Sequence, residues 1–311
     1  MDNIMSEKLS ASSYYTKFKK DTSISEKLFT GFVYLFIILF TLACFLPFWL
    51  VLINSFASEA SLQANGYQLI PSEFSFNAYQ FIFKGQQIFR SYGITIFVTV
   101  VGTFLAVILT SSYAYMLAHP KNKYGNILSF MTYFTMIFGS GLVGFYLLIS
   151  KWLGLGDTIW ALIVPYLLNP FYAFILVSYY RSIPYELNEA ATIDGASEFK
   201  IFYKIIWPVS KPVIATISLF YSLLFWNDWW LALLFINDDK LHPLQMMLRR
   251  LISNINMAQY VAGSNTSFNM ILPAKGVQLA LVCLTIGPIV FAYPYIQKYF
   301  VKGITIGAVK G

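Results

Sequence analysis

RSIPYELNEAATIDGASEFKIFYKIIWPVSK, residues 181–211, decides how this chain is read. It carries four acids and four bases, eight of the 35 charged residues in the protein (21 Lys+Arg, 14 Asp+Glu). The chain is apolar on both sides of it, over 158–180 and again over 208–236. A helix needs ~20 apolar residues to cross ~30 Å of hydrocarbon, and both flanks meet that length. The stretch is too polar to enter lipid, so it reads as a loop between two membrane spans. It also keeps helical patterning. Pro184 is placed to start a helix. Leu187, Ala190, Ala191 and Ile193 mark a short amphipathic stretch, which Asp194-Gly195 then breaks. Glycine tolerates positive φ, and the aspartate can cap the next helix. Phe199, Phe202, Tyr203 and Ile206 form a second helical face before Pro208 and Pro212. Two short helices joined by a glycine bend can rest on the bilayer surface or serve as a docking element for another protein.

Working outward, four more apolar runs have spanning length: 28–53, 92–118 (ended by His119-Pro120), 127–150 and 277–300. The first follows 27 polar residues, exceeds a signal-peptide core and has no small-residue cleavage site after it, so it reads as retained. The expected fold is an all-α integral membrane protein with six transmembrane helices. Barrel strands alternate and span in ~9–11 residues, which these runs do not do. The expected organisation is a cytoplasmic N-terminal segment 1–27, one six-span domain over 28–300 with 181–211 as a cytoplasmic loop, and a cytoplasmic tail 301–311. Composition agrees: of 311 residues, 58% are hydrophobic, 19% aromatic and only 11% charged, and mean hydropathy is +0.62. A soluble domain carries ~25% charged residues, so a water-soluble globule, a disordered chain and a small secreted scaffold are all excluded. With both termini inside, the inner segments hold 14 basic residues and the outer segments seven. That asymmetry supports an N-in, C-in topology and accounts for the +7 net charge without nucleic acid.

The chemistry the chain lacks is also informative. There is no GxxxxGK[ST] phosphate cradle, so it does not hydrolyse ATP itself. His119 and His242 fall on opposite sides of the expected membrane, and no convergent catalytic set is visible. Cys44 and Cys283 lie inside apolar runs and have no metal-ligand spacing. A secondary transporter is the rival reading. It predicts ion-coupling carboxylates near mid-span and inverted repeats, and neither is seen. Span 158–180 is interrupted by Pro165 and Asn169-Pro170. Pro170 cannot donate to the Tyr166 carbonyl, so a kink is expected. The freed carbonyl and the Asn169 amide can line a water-filled path, or the kink can serve packing alone.

The motif in the central loop is more specific. Glu189-Ala190-Ala191, then Asp194-Gly195-Ala196, then Ile205 and Pro208 resembles the EAA loop of binding-protein-dependent ABC importer permeases. That pattern is EAA, three residues, Gly, nine residues, Ile-x-Leu-Pro. The spacing here matches throughout, with Trp207 where leucine is usual. The end of the chain, Tyr293-Pro294 through Gln297-Lys298-Tyr299-Phe300-Val301-Lys302-Gly303 and Gly307 to Gly311, is similar to the carbohydrate-uptake branch, the maltose-type group taking complex oligosaccharides. Trp226-Asn227-Asp228-Trp229 resembles the same branch, and the likeness covers roughly 29–311. The resemblance implies a type I importer permease fold in the cytoplasmic (inner) membrane of a bacterium. It implies a second permease subunit forming a heterodimer, two ATPase subunits that hold ATP and Mg, an extracytoplasmic sugar-binding protein and an oligosaccharide substrate. No cofactor or metal is expected on this chain. By the same resemblance Glu189 pairs with a basic residue of the ATPase and Gly195 makes the bend. The outer loops 54–91 and 237–276 would receive the binding protein.

The expected substrate path uses helical spacing. Tyr221, Phe225, Asp228 and Trp229 recur at i, i+4, i+7 and i+8, with Asn227 adjacent. A sugar needs flat apolar surface for ring C–H groups and carboxylate or amide partners for hydroxyls. Asp228 lies 20 residues beyond Pro208, ~30 Å along a helix, and so near the outer interface. The alternative is a carboxylate within an interfacial aromatic belt of Trp226, Trp229 and Trp230.

Overall fold

The computed structural model describes residues 24–264, 275–288 and 290, with side chains undescribed over 255–264. The regular secondary structure among the described residues is helical, with one isolated bridge between Ala57 and Phe74. The chain opens with α1 (Ile24–Asn54), then α2 (Glu59–Asn65) and α3 (Asn77–Lys84). The long α4 (Gln86–Ala118) follows, then α5 (Gly125–Ile137) and α6 (Gly141–Trp152). Two 3-10 turns over Ile159–Tyr166 lead into α7 (Pro170–Arg181). Next come α8 (Glu186–Ile193), α9 (Glu198–Val209), α10 (Lys211–Asn227) and α11 (Trp230–Phe235). The last described helices are α12 (Leu244–Ser264) and α13 (Lys275–Pro288).

Among the described residues, three of the six expected spans are bent pairs of shorter helices. Two described helices, α1 and α4, are continuous, long and apolar enough to cross a membrane, and the number rises to five if each of three bent pairs counts as one span. The run 127–150 turns by 114° between α5 and α6, where Gly139-Ser140-Gly141 interrupts it and Gly141 adopts φ +71°. The run 158–180 bends by 45° ahead of α7. The run from Pro208 bends by 85° at Ser210 between α9 and α10. Its helix then stops at Asn227 rather than continuing to 236. Only the first part of 277–300 is described, and segments 1–23 and 291–311, including the C-terminal signature, lie outside the described residues.

The core is built on α4. Val98, Gly102, Ala106, Thr110 and Ala114 recur every fourth residue and are buried. Val213, Ile217, Tyr221 and Phe225 do the same on α10. Matching i, i+4 ridges let the two helices pack closely, and small residues on one side bring the backbones together. At Gly102 the approach is tightest, since an added Cβ would stand 2.8 Å from the Phe225 ring. Hydroxyl pairs lock this packing: Thr110 Oγ1 with Tyr221 Oη at 2.6 Å and Ser111 Oγ with Tyr180 Oη at 2.5 Å. Elsewhere, Glu59 accepts from the Lys275 and Gly276 backbone N–H groups at 3.3 and 3.0 Å. A carboxylate from α2 thus satisfies the positive end of α13. By contrast, the α1 side chains are almost all exposed, with Asn54 the one buried residue in that helix.

Candidate functional site

The charged stretch forms the expected helix pair, and its bend is built by hydrogen bonds. The Gly195 N–H donates to Thr192 O and the Ala196 N–H to Ala191 O, both at 3.0 Å, while Gly195 sits at φ +76°. This is the Schellman arrangement, which closes the carbonyls at a helix C-terminus with glycine in the left-handed region. Asp194 is the C-terminal cap of α8 and does not cap the next helix; Ser197, with ψ 155°, stands at the start of α9. A π-helical turn over Phe202–Ile206 then widens α9.

The apolar residues of this pair do not all turn inward as an amphipathic pattern predicts. Ala191, Ile201, Phe202 and Ile206 are buried, and Ala196 and Ile205 half-buried. Leu187, Ile193 and Phe199 face outward, with Ile193 85% exposed. Glu189, Ala190, Asp194 and Pro208 are exposed beside them. An apolar knob with a carboxylate on it, held on a rigid bend, has the composition of a docking surface. Trp207, the departure from the family pattern, packs flat against Tyr203 (centroids 5.8 Å apart, 14° between planes) and edge-on to Phe202 at 5.6 Å. The larger ring thus closes an aromatic stack within α9.

Three residues to which the sequence assigned no site role tie this pair to the core. Tyr115 Oη donates to Glu198 at 2.9 Å, and His119 Nε2 lies 3.6 Å from the same carboxylate. The end of α4 therefore grips α9. Partners 83 residues apart leave no local pattern, and only the histidine stood out by rarity.

A second group sits where α10 ends. Asp228 caps α10, accepts from the Tyr166 hydroxyl at 3.0 Å, and accepts from the Leu231 N–H at 3.2 Å to start α11. The Arg249 guanidinium stacks 3.8 Å over the Trp229 ring. Asn227 accepts from Gln245 at 3.3 Å. Tyr221 and Phe225 do not share an open face with these residues. Both are buried in the α4–α10 core, and the face counted on a helix through 229 is interrupted because that helix ends at Asn227. Asn169 is occupied as well. Its side-chain oxygen accepts from the N–H groups of Phe171 and Tyr172, capping α7, and its own N–H donates to Tyr221 Oη at 2.9 Å. The kink at Asn169-Pro170 is thus a cap with a helix-starting proline.

Asp157 closes another junction. It accepts from the Asn237 N–H, the Asn237 side chain and the Asp238 N–H at 2.5, 3.0 and 3.1 Å. The Asn237 side-chain bond, then the backbone bonds, hold this exposed carboxyl below the usual aspartate range. Among the described residues, no group of three His, Cys, Asp or Glu is placed to hold a metal ion.

An all-α arrangement of long and bent apolar helices around a projecting helix pair is the architecture of a membrane-embedded protein. The family profile of the binding-protein-dependent transport system inner membrane component matches residues 111–306, and the chain belongs to that family. It is 42% identical to Protein LplC of Bacillus subtilis (strain 168) over 266 residues, 86% of this chain and 89% of the relative. It is 37% identical to the polygalacturonan/rhamnogalacturonan transport system permease protein YtcP of the same strain, over 93% of this chain and all of the relative (100%). A crystal structure of a bacterial ABC transporter involved in the import of the acidic polysaccharide alginate contains a chain that superposes with a TM-score of 0.80 at 28% identity, covering 89% of this chain and 98% of that one. The chain is accordingly an ABC importer permease, and ATP hydrolysis belongs to separate subunits.

Proposed function

We propose that this chain is one of two permease subunits of a bacterial importer that carries an oligosaccharide across the cytoplasmic membrane. Its complex contains a second, similar permease, two ATPase subunits with ATP and Mg, and an extracytoplasmic sugar-binding protein. The chain crosses six times with both termini inside, counting each bent pair as a span and the run 277–300 as the sixth, and 181–211 faces the cytoplasm. The observation that carries the reading is the exposed knob of Leu187, Glu189, Ala190, Ile193 and Phe199 on a hydrogen-bonded bend. Glu189 fixes register against a cation of the ATPase, and the small Ala190 permits close approach. Motion of the ATPase pair then swings α7 and α10, attached at the two ends of the loop, and α4 through Glu198. On the outer side, Asn227, Asp228 and Trp229 offer the amide, carboxylate and ring that a sugar requires. Tyr221, Phe225 and Asn169 support that group from behind.

Acidic oligosaccharides are the first substrates to test, because two of the similar proteins are described by polygalacturonan/rhamnogalacturonan and by alginate. The test is uptake of labelled oligogalacturonides and of neutral melibiose into proteoliposomes holding the full complex and binding protein. ATP-dependent uptake of an oligosaccharide is expected. Uptake that follows an imposed ion gradient and ignores ATP would contradict the reading.

A further inference from the structure

The outer end of α10 meets one face of α12, and the meeting leaves a cation unpaired. Gln245 and Arg249 stand one helical turn apart on α12. Gln245 donates to Asn227 at 3.3 Å, and the Arg249 guanidinium lies 3.8 Å over the Trp229 ring. Arg250, one position on, pairs with Asp239 instead. Among the described residues no carboxylate pairs with Arg249.

The neighbouring polar groups are already engaged. Asn227 donates to Leu223 O at 2.8 Å and accepts from Gln245. One Asp228 oxygen accepts from Tyr166 Oη and the other from the Leu231 N–H. Arg249 differs from both, because it is exposed and its donors are unused. The five N–H donors of a guanidinium lie in its own plane, so stacking on a ring occupies the face and leaves the fork. The stack also holds a long side chain in place, which lowers the entropy lost when the fork takes a partner. Trp230 stands beside it. Its ring is perpendicular to Trp229, with centroids 5.7 Å apart, and the residue is 41% exposed.

An ordered cationic fork next to open indole surface selects a ligand. A carboxylate matches the fork with two parallel charged hydrogen bonds, and the C–H face of a pyranose rests on aromatic surface. A uronic acid unit carries both on one ring. A neutral sugar offers the fork only hydroxyl oxygens, whose hydrogen bonds are weaker. We infer that Arg249 selects acidic oligosaccharides by pairing with a uronate carboxylate as the sugar passes Trp229 and Trp230, an assignment that rests on the reading of Asn227–Trp229 as sugar-facing. Charge selection then belongs to α12, outside the Trp226–Trp229 motif.

The probes are trigalacturonate and its uncharged methyl ester. The readout is ATP-driven uptake into proteoliposomes holding the full complex and its binding protein. That protein is the same throughout, so its own preference cancels when variants are compared. Arg249→Met keeps an apolar stem and removes the fork, whereas Arg249→Lys keeps the charge alone. The wild type should favour acid over ester, and Arg249→Met should cut that ratio about tenfold. Arg249→Lys should cut it about threefold, since a point charge replaces two parallel bonds. Both substitutions lie at an exposed position, so the complexes should assemble, which copurification of the ATPase checks. An acid-to-ester ratio unchanged in Arg249→Met would overturn the inference. Equal loss of both sugars, with more binding protein needed for half-maximal ATP turnover, would make Arg249 a contact of that protein and would overturn it too. A wild-type complex that imports neutral oligosaccharides and no uronate counts against Arg249 alone. One that imports no oligosaccharide counts against the path reading as well.

Discussion

Tyr221 shows how much one hydroxyl can hold. Its oxygen joins Thr110 at 2.6 Å and receives the Asn169 N–H at 2.9 Å, linking α4, α10 and the start of α7. Tyr221→Phe keeps the ring and leaves a buried N–H unpaired, so a loss of ~1–3 kcal/mol is expected in thermal unfolding of the detergent-solubilised protein. Gly102→Ala places a methyl group against the Phe225 ring, 2.8 Å from its nearest atom. Overpacking of this kind costs ~1–3 kcal/mol and should lower the melting temperature without changing helix content. At Asp157 the sign of the pH effect follows from the bonds it accepts. Its pKa is lowered in the folded protein. Its contribution is therefore complete above the unfolded value of ~3.9 and is lost as pH falls through the lower folded value. Below about pH 4 the wild type should lose melting temperature more steeply than Asp157→Asn, and parallel profiles would contradict this.

At the scale of elements, the coupling bend depends on one backbone conformation. Gly195 at φ +76° is open to solvent, so a side chain there meets no neighbour and the cost is conformational. Gly195→Val should cost ~1–2 kcal/mol. It should also reduce ATP-stimulated uptake more than it reduces the amount of folded permease, as measured by size-exclusion chromatography. The helix pair and its bend were legible in the sequence because Pro184, the Asp194-Gly195 break and the aromatic spacing are local signals. The outward turn of Leu187, Ile193 and Phe199 was not, because periodicity says which residues share a face and not what covers it. The bend in 158–180 was expected from Asn169-Pro170, while the breaks in the other two spans were missed for a related reason. Hydropathy sums over a window and gives no weight to Gly139-Ser140-Gly141 or to Ser210, where the backbone turns.

Over the whole molecule, composition and the charged loop together were enough to place the fold class and the family. Long-range pairings were not legible. Neither the Tyr115–Glu198 clasp nor the Tyr166–Asp228 bond has a sequence pattern, since each joins residues more than 60 apart. Asp228 was singled out as a carboxylate in an apolar run, and its neighbours in space became visible only with the fold. The central claim is that the exposed face of α8 carries ATP-driven motion into this permease, and Glu189→Lys tests it most directly. The variant reverses charge at an exposed position and leaves the core untouched, so the permease should fold and reach the membrane as the wild type does. The account predicts that the ATPase no longer copurifies with it, or copurifies without substrate-stimulated hydrolysis. Copurification together with substrate-stimulated hydrolysis at wild-type levels would contradict it.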